Sequence, residues 1–442
     1  MVMSKDHAVN FFDIPLGCNA PPPQFRDFVV DILSLILTPI GQDDPPDGLV
    51  EFVQILVREA YSYYNQVAPK KYEAGRDTKI DEVAPRFRVQ LEGRTWFQIR
   101  DDLFAAKQIT MAIRAQRYAM PVLPDLLTVM SMSQSVGALY TDSTDERSRG
   151  ICGVVEQNLM AAVTQYPVFA EPTQLDFGNA RLFVLDLNSF INLTGPASER
   201  IMNVMYLAVM SLFRREMYVD TEVFGDTTID IADQYRQYWI AKISVERKEI
   251  KRLNYDELHL ISSPRARRMI TFDARIGRKY NVHIGLASQY LTDFPIEVIK
   301  AATGFWLMEG EKSSLDYLSR ELSVSDYTRA VCKEKLGPPD AEGAKIMYIG
   351  VQKEQLVERF VRAKMGSVEI WSYCTNQKDK ALRDILEEQI GFGGAVQVLA
   401  RRFPGGSAEA ETMERVAASM GTRSMRDVHE WMAEEMIREW RQ

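Results

Sequence analysis

The sequence has little of several features that would narrow its chemistry. Its 442 residues include four cysteines and four histidines, all far apart, with no CxxC pair. This pattern excludes a disulfide framework and a structural zinc site, and it indicates a reducing compartment. The longest apolar run near the start, residues 28–40, is interrupted by Asp31 and Thr38 and is too short to span a bilayer. We therefore expect membrane association only through partners.

The sequence also lacks net positive charge and a phosphate loop. The formal net charge is −8, whereas a protein that grips nucleic acid over its whole surface is basic. A basic channel inside an acidic shell stays compatible with this charge. No segment matches GxxxxGK[ST], and the nearest imitation, EGEKSS at 309–314, places its lysine after Glu rather than Gly. Without the backbone amides and lysine of such a loop, we expect poor phosphate affinity.

Helical patterns dominate residues 1–175. The segment PPPQFRDFVVDILSLIL begins after three prolines and places Phe25, Val29, Ile32 and Ile36 on one helical face. Similar patterns predict helices over 49–64 and 100–116. Residues 377–442 return to helical patterns, broken at 391–394 and at 403–407.

Strand-like apolar runs occupy the middle of the chain, at 180–190, 252–261, 282–289, 304–310, 344–351 and 367–374. Helices are predicted between them, over 198–218 and from Ser263-Pro264 to about residue 280. His283 falls inside an apolar run and is predicted to lie in the core. Apolar strands separated by helices predict an α/β fold with a mostly parallel sheet covered by helices on both faces. The predicted division is a helical part at 1–175, an α/β core at 176–376 and C-terminal helices at 377–442.

The strongest local signal for chemistry is the acidic pair Asp256-Glu257, in the motif YDELH at the end of the strand-like run at 252–261. Hydrolysis of a phosphoanhydride needs a metal near the β- and γ-phosphates and a group that orients water. An Asp at a strand end can hold hydrated Mg²⁺, while the adjacent Glu points differently and can polarise the water. The alternative is that the two acids only cap the following loop. Asp186, at the end of another apolar run, is a rival for the metal-binding acid.

Gln289 ends the next predicted strand, in the motif ASQ. Ligands of open α/β sheets bind at the carboxyl ends of the strands, so a carboxamide there can contact the γ-phosphate or the attacking water. The alternative is a glutamine bonded to backbone. His259 can couple the acidic pair to a substrate, although a single histidine is usually satisfied locally.

The basic segment DARIGRKY lies between these two motifs. An arginine that reaches across a subunit boundary stabilises transition-state charge in the neighbouring site, and Arg278 is favoured over Arg275 for this role. The alternative is a solvated helix face.

The series YDELHL, GRKYNVHIGLASQYLTDFP and ATGFWLMEGEKSS resembles the HerA/FtsK-type motors, and within them the large ATPases of type IV secretion and conjugation. The tail TNQKDKALRDILEEQIGFGGAVQVLARRFPGGSAEAE resembles that of the bacterial ATPases of the Dot/Icm (type IVB) branch. The opening DHAVNFFDIPLG resembles the region just downstream of the family's phosphate loop. The resemblance covers nearly the whole chain and is most specific after residue 250.

The resemblance implies a RecA-like core, ATP and Mg²⁺ as ligands, a homo-hexamer, and docking on a secretion channel at the cytoplasmic face of the inner membrane. It assigns the acidic pair to Asp256 and Glu257, the sensor glutamine to Gln289 and the arginine finger to Arg278. The missing phosphate loop is the departure. We expect the chain to be the C-terminal part of a longer protein, with a truncated relative as the alternative.

Two other functions stay open from the sequence. One is a non-catalytic docking module with a vestigial nucleotide site. The other is a DNA-translocating motor of the same superfamily, which the acidic charge and the lack of a basic aromatic stripe disfavour. Direct binding of nucleic acid is therefore not expected.

Overall fold

The computed structural model describes residues 8–42, 44–133, 135–136, 146–175, 181–184, 196–218, 220–226, 229–261, 264–308, 312–337, 343–352, 355–419 and 424–441. The chain divides into two compact units, Met1–Val298 and Ile299–Gln442. This division falls inside the predicted 176–376 core. Most of the predicted strand at 180–190, including Asp186, lies outside the described residues.

The first unit begins with helices. They are α1 (Pro23–Leu37), α2 (Leu49–Ser62), α3 (Thr78–Val83), α4 (Trp96–Ala105), α5 (Ile109–Ala119), α6 (Asp125–Met132) and α7 (Glu146–Gln165). The helix predicted after the three prolines is confirmed as α1, which has Pro23 at its first position and buries Phe25, Val29, Ile32 and Ile36. Within the described part of 1–175 there are helices and isolated bridges but no strand.

The single helix predicted over 100–116 is wrong. The chain forms α4 and α5 there, and Lys107, between them, has a positive φ of 61°. A left-handed residue cannot continue an α-helix, so the chain turns at this point. Arg100, on α4, donates from Nη1 to Gln116 Oε1 on α5 at 3.3 Å, which holds the two helices side by side.

The remaining elements of the first unit include its two parallel strands. They are α8 (Pro196–Met217), α9 (Thr221–Gly225), α10 (Asp233–Glu246), β1 (Lys251–Tyr255), α11 (Pro264–Ile276) and β2 (Val282–Leu286). α8 and α11 were predicted. Both strands were predicted too, but each ends before its predicted run does, β1 at Tyr255 and β2 at Leu286. β1 and β2 pair in parallel, with Lys251 opposite Val282 and Tyr255 opposite Leu286. The carboxyl ends of the two strands therefore meet at one edge.

One face of this strand pair is buried and the other is open. Leu253, Tyr255 and Val282 belong to the hydrophobic core, whereas Arg252 and His283 are exposed. Because side chains alternate along a strand, Arg252 and His283, which are opposite each other in the register, share the open face. The predictions of a core His283 and of a sheet covered on both faces are therefore wrong for the described residues.

The second unit holds an antiparallel sheet. Its strands are β3 (Gly304–Leu307), β4 (Ala344–Gln352) and β5 (Gln355–Ala363), paired in the order β3-β4-β5. The mostly parallel sheet that we predicted is thus wrong for the described strands, of which only β1 and β2 pair in parallel. β5 was not predicted, and the strand predicted at 367–374 is wrong because Ser367–Ser372 is helical. The chain is nevertheless α/β.

The other elements of the second unit are helices, and α12 (Ile296–Ala301) contains the point of division between the units. They are α13 (Lys312–Leu322), α14 (Asp326–Lys335), α15 (Ser367–Ser372), α16 (Gln377–Arg402), α17 (Glu409–Ala418) and α18 (Met425–Arg441). The predicted break at 391–394 is confirmed as a kink at Gly391, whose φ of 74° is non-helical. Trp371 is fully buried in the C-terminal core and donates from Nε1 to Phe403 O at 2.8 Å.

Candidate functional site

The acidic pair lies at the end of β1, as the sequence predicts. Asp256 and Glu257 directly follow Tyr255, the last residue of the strand, and both are exposed. Glu257 has a left-handed backbone, φ 52° and ψ 50°, and its N–H donates to Asp256 Oδ1 at 2.9 Å. A non-glycine residue in this region is uncommon, and here it starts a short 3-10 turn at Leu258–Leu260. The reversal leaves two adjacent carboxylates at the exposed tip of the strand.

Gln289 lies on the segment that leaves β2, at the same edge of the strand pair. The two exits are joined by backbone hydrogen bonds, from Ala287 N to Tyr255 O at 2.9 Å and from Leu258 N to Ala287 O at 3.0 Å. Gln289 is exposed two residues beyond Ala287. The structure therefore brings the segment of Gln289 and that of the acidic pair together, as the parallel arrangement predicts.

Tyr206, on α8, adds a third element to this edge. Its hydroxyl donates to the backbone oxygen of Asp256 at 3.3 Å. Burial raises the pKa of Tyr206, and the nearby carboxylates of Glu257 and Asp256 raise it further. A phenol that stays protonated can keep donating this hydrogen bond. The sequence analysis missed Tyr206, because only the packing of α8 brings it to the strand end.

Ser288, Asp293 and His259 form a polar network beside the acidic pair. Ser288 Oγ donates to Asp293 Oδ2 at 2.6 Å and accepts from the backbone N–H of His259 at 3.2 Å. Asp293 Oδ2 also accepts from Tyr290 N at 3.1 Å. Sequence reasoning included His259 but missed the other two. Asp293 lies four residues beyond Gln289, and its partner could not be deduced from that spacing.

The basic segment lies at the opposite end of the strand pair. Arg278 and Lys279 belong to a 3-10 turn, Gly277–Tyr280, just before β2, and Arg275 is near the end of α11. Lys279 pairs with Asp220 at 2.9 Å, whereas Arg278 and Arg275 are both exposed. The register of β1 and β2 places Arg278 beyond the amino ends of the strands, so it does not join Asp256 and Glu257 of its own chain.

The donor set at the acidic edge fits Mg²⁺ but not a metal caged by the protein. In the described part of the chain, no group of three or more His, Cys, Asp or Glu side chains could hold a metal ion. Mg²⁺ in nucleotide sites is held by one or two carboxylates together with substrate phosphates and water. One exposed aspartate at a strand tip, Asp256, meets that requirement.

Comparison with known proteins gives little beyond these observations. No protein-family model matches the sequence, and no curated protein matches it. Among solved structures, the chain is similar to VirB4 of Thermoanaerobacter pseudethanolicus, with 13% identity, a TM-score of 0.45, and coverage of 82% of this chain and 75% of that one. Within the described ranges, the structure has no helix that is both long enough and apolar enough to span a membrane.

Proposed function

We propose that this chain is the acidic-switch part of a type IV secretion ATPase, which couples ATP hydrolysis to assembly of the channel or to substrate export. The observation that carries the proposal is the placement of Asp256 and Glu257 at the exit of β1, hydrogen-bonded through the backbone to the exit of β2 that bears Gln289. A nucleotide site of an α/β sheet is expected at that edge. The resemblance of the motifs and the tail to the DotO/IcmB ATPases of the Dot/Icm branch supports the same class.

Each polar side chain at this edge has a separate role in the proposal. Asp256 would hold Mg²⁺, which when bound neutralises charge on the β- and γ-phosphates. Glu257 orients and polarises the attacking water, and Gln289 contacts the γ-phosphate. Arg278, or failing that Arg275, acts on the site of a neighbouring subunit, because it lies at the far end of its own strand pair.

The assembly that follows is a homo-hexamer, peripheral to the cytoplasmic face of the bacterial inner membrane and docked on other secretion components. Direct binding of nucleic acid is not part of the proposal, since the net charge is −8. The sequence holds no phosphate loop. The proposal therefore requires one from elsewhere, and we expect this chain alone to hydrolyse ATP slowly or not at all.

The test is ATP turnover by this chain and by a version extended upstream to include a phosphate loop. Glu257→Gln is compared with Glu249→Gln, which alters an exposed glutamate near the other end of β1. We expect turnover only in the extended form, a loss of at least about 100-fold with Glu257→Gln, and no change with Glu249→Gln. Equal turnover by the two variants contradicts the assigned role of Glu257.

A non-catalytic docking module is the second candidate, and the missing phosphate loop favours it. In that case the acidic pair is vestigial and the helical parts bind partner proteins. An extended form that neither binds nor hydrolyses ATP would support this candidate and overturn the first.

A further inference from the structure

The two segments that leave the parallel strands are tied together by side chains as well as by backbone. We call residues 256–261 the β1 exit loop and residues 287–294 the β2 exit loop. Arg267, on α11, donates from Nε to Ile261 O at 2.8 Å and from Nη1 to Asp293 O at 3.0 Å, so one guanidinium holds both loops. Ser288 Oγ accepts from His259 N at 3.2 Å and provides a second side-chain tie.

The positions of the protons in this network follow from simple chemistry. Ser288 has one hydroxyl proton, and the ionised Asp293 carboxylate can only accept. The 2.6 Å contact between Ser288 Oγ and Asp293 Oδ2 therefore uses the serine proton. Ser288 Oγ then has only lone pairs left for His259 Nδ1, which lies 3.4 Å away. A hydrogen bond at this contact therefore requires the proton on Nδ1 of His259, which leaves Nε2 as the unprotonated nitrogen of the neutral ring.

We propose that Asp293, acting through Ser288, is a positioning residue that holds His259 as its Nδ1–H tautomer and fixes the β1 exit loop against the β2 exit loop. This arrangement sets the position of Glu257 relative to Gln289. The inference rests on the proposed function for its substrate class, a nucleoside triphosphate. Ser288 is not a nucleophile in this proposal, because its hydroxyl donates its hydrogen bond to the carboxylate of Asp293 and not to the imidazole of His259.

The expected kinetic effect is on turnover and not on affinity. A loop misplaced by about 1 Å can lower a rate by about 100-fold. In the extended, phosphate-loop-containing form, we expect Ser288→Ala and Asp293→Ala to lower kcat about 10- to 100-fold, with KM changed less than about threefold. Ser288→Thr keeps the hydroxyl and should restore kcat to within about threefold of the unaltered protein.

The matched control for the serine is Ser244→Ala. Ser244 is an exposed serine of α10, and its hydroxyl donates only to the backbone of Ile240. If Ser288→Ala turns over ATP as fast as Ser244→Ala, the positioning role is wrong. A rise in KM with kcat unchanged would also overturn it, because the network would then act in binding.

The tautomer of His259 gives a readout that does not depend on activity. The chain has four histidines, so histidine-selective ¹⁵N labelling yields four imidazoles, and His259→Gln assigns one of them. At about pH 8, where an ordinary histidine is neutral, we expect a protonated Nδ1 and an unprotonated Nε2. In Asp293→Ala the serine loses its acceptor, which frees the serine proton for Nδ1 and should shift the ring toward its Nε2–H form.

The two experiments separate failure of this inference from failure of the proposed function. An Nε2–H ring in the unaltered protein overturns the network, whatever the turnover. An Nδ1–H ring that does not respond to Asp293→Ala overturns the role of Asp293. An Nδ1–H ring that does respond, together with no ATP turnover in any form, supports the network as a structural tie but overturns its role in ATP hydrolysis.

Discussion

Arg214 places two hydrogen-bond donors on one oxygen of Asp273: its Nε and Nη2 each lie 2.8 Å from Oδ1. The pair joins α8 to α11 beside Tyr255, the last residue of β1. The Asp273 side chain has no solvent exposure. Burial raises the pKa of Asp273 to about 6, while Arg214 and the nearby Tyr255 hydroxyl oppose that rise. This ion pair therefore supports the strand that carries the acidic pair, and it makes stability depend on pH.

The first prediction concerns that pH dependence. The pKa of Asp273 is raised from 3.8 to about 6 in the folded chain, so the folded state holds this proton more tightly than the unfolded state. The resulting stabilisation is present below about pH 4 and is lost as the pH rises through about 6. Relative to Asp273→Asn, the free energy of unfolding of the unaltered protein should fall by about 2–3 kcal/mol across this window.

Urea unfolding at several pH values measures this difference. Asp233→Asn serves as the control, because the Asp233 side chain is 94% exposed. A gap between the unaltered protein and Asp273→Asn that does not change between pH 4 and pH 7 would show that Asp273 titrates normally.

The second prediction concerns the other member of the pair. Arg214→Met leaves Asp273 buried without its cation, so at pH 7 we expect a loss of about 3–5 kcal/mol in the free energy of unfolding. Adding Asp273→Asn to Arg214→Met should recover part of that loss, because no charge is then left unpaired. A double variant as unstable as the sum of the two single variants would contradict this coupling.

The third prediction concerns Asp77, which has two roles in the helical part. Its Oδ1 accepts from Lys79 N and Ile80 N at the start of α3, and its Oδ2 pairs with Arg114 at 2.8 Å. Asp77→Ala should cost about 3–5 kcal/mol, because it removes both the carboxylate that pairs with the largely buried Arg114 and the helix cap. Asp77→Asn keeps a capping oxygen and should cost less. Thermal or urea unfolding ranks the two variants, and an equal cost would show that the cap contributes nothing.

The fourth prediction compares two glycines with the same backbone. Gly17 and Gly41 have φ values of 87° and 89°. A Cβ at Gly17 would lie 2.2 Å from the ring of Tyr235, whereas a Cβ at Gly41 would meet nothing within 4 Å. Gly41→Ala should therefore cost only the left-handed strain of about 1–2 kcal/mol.

Gly17→Ala should cost about 1–3 kcal/mol more than Gly41→Ala, because it also overpacks the core. The free energy of unfolding in urea measures both variants. Equal losses would mean that the chain around Tyr235 moves freely enough to accept the methyl group.

The elements that the sequence predicted well carry strong local signals. α1 follows three prolines and has an apolar stripe, and β1 and β2 are short strand-like runs with a helix between them. The exposed acidic pair could be located because Asp256 and Glu257 are consecutive acids in the strand-like run at 252–261. These features depend on a few consecutive residues, so they can be deduced without knowing what packs against them.

The elements that were missed depend on pairing and packing and not on a clear pattern of consecutive residues. β5, QLVERFVRA, has apolar and charged residues in pairs and not in alternation, and its pairing with β4 decides its structure. Residues 367–372 contain apolar and β-branched residues typical of a strand. They form a helix instead, and this helix buries Trp371 among the C-terminal helices. At the site, Tyr206 and Asp293 could not be deduced because each reaches the acidic edge only through tertiary packing.

The central claim is that Asp256 and Glu257 are adjacent acids with different roles at one nucleotide site. Binding of a fluorescent ATP analogue to the extended form, with and without Mg²⁺, tests it most directly. We predict that Mg²⁺ tightens binding at least about tenfold, that Asp256→Asn removes this tightening, and that Glu257→Gln keeps it. Nucleotide binding with the same Mg²⁺ dependence in Asp256→Asn as in the unaltered protein would contradict the account.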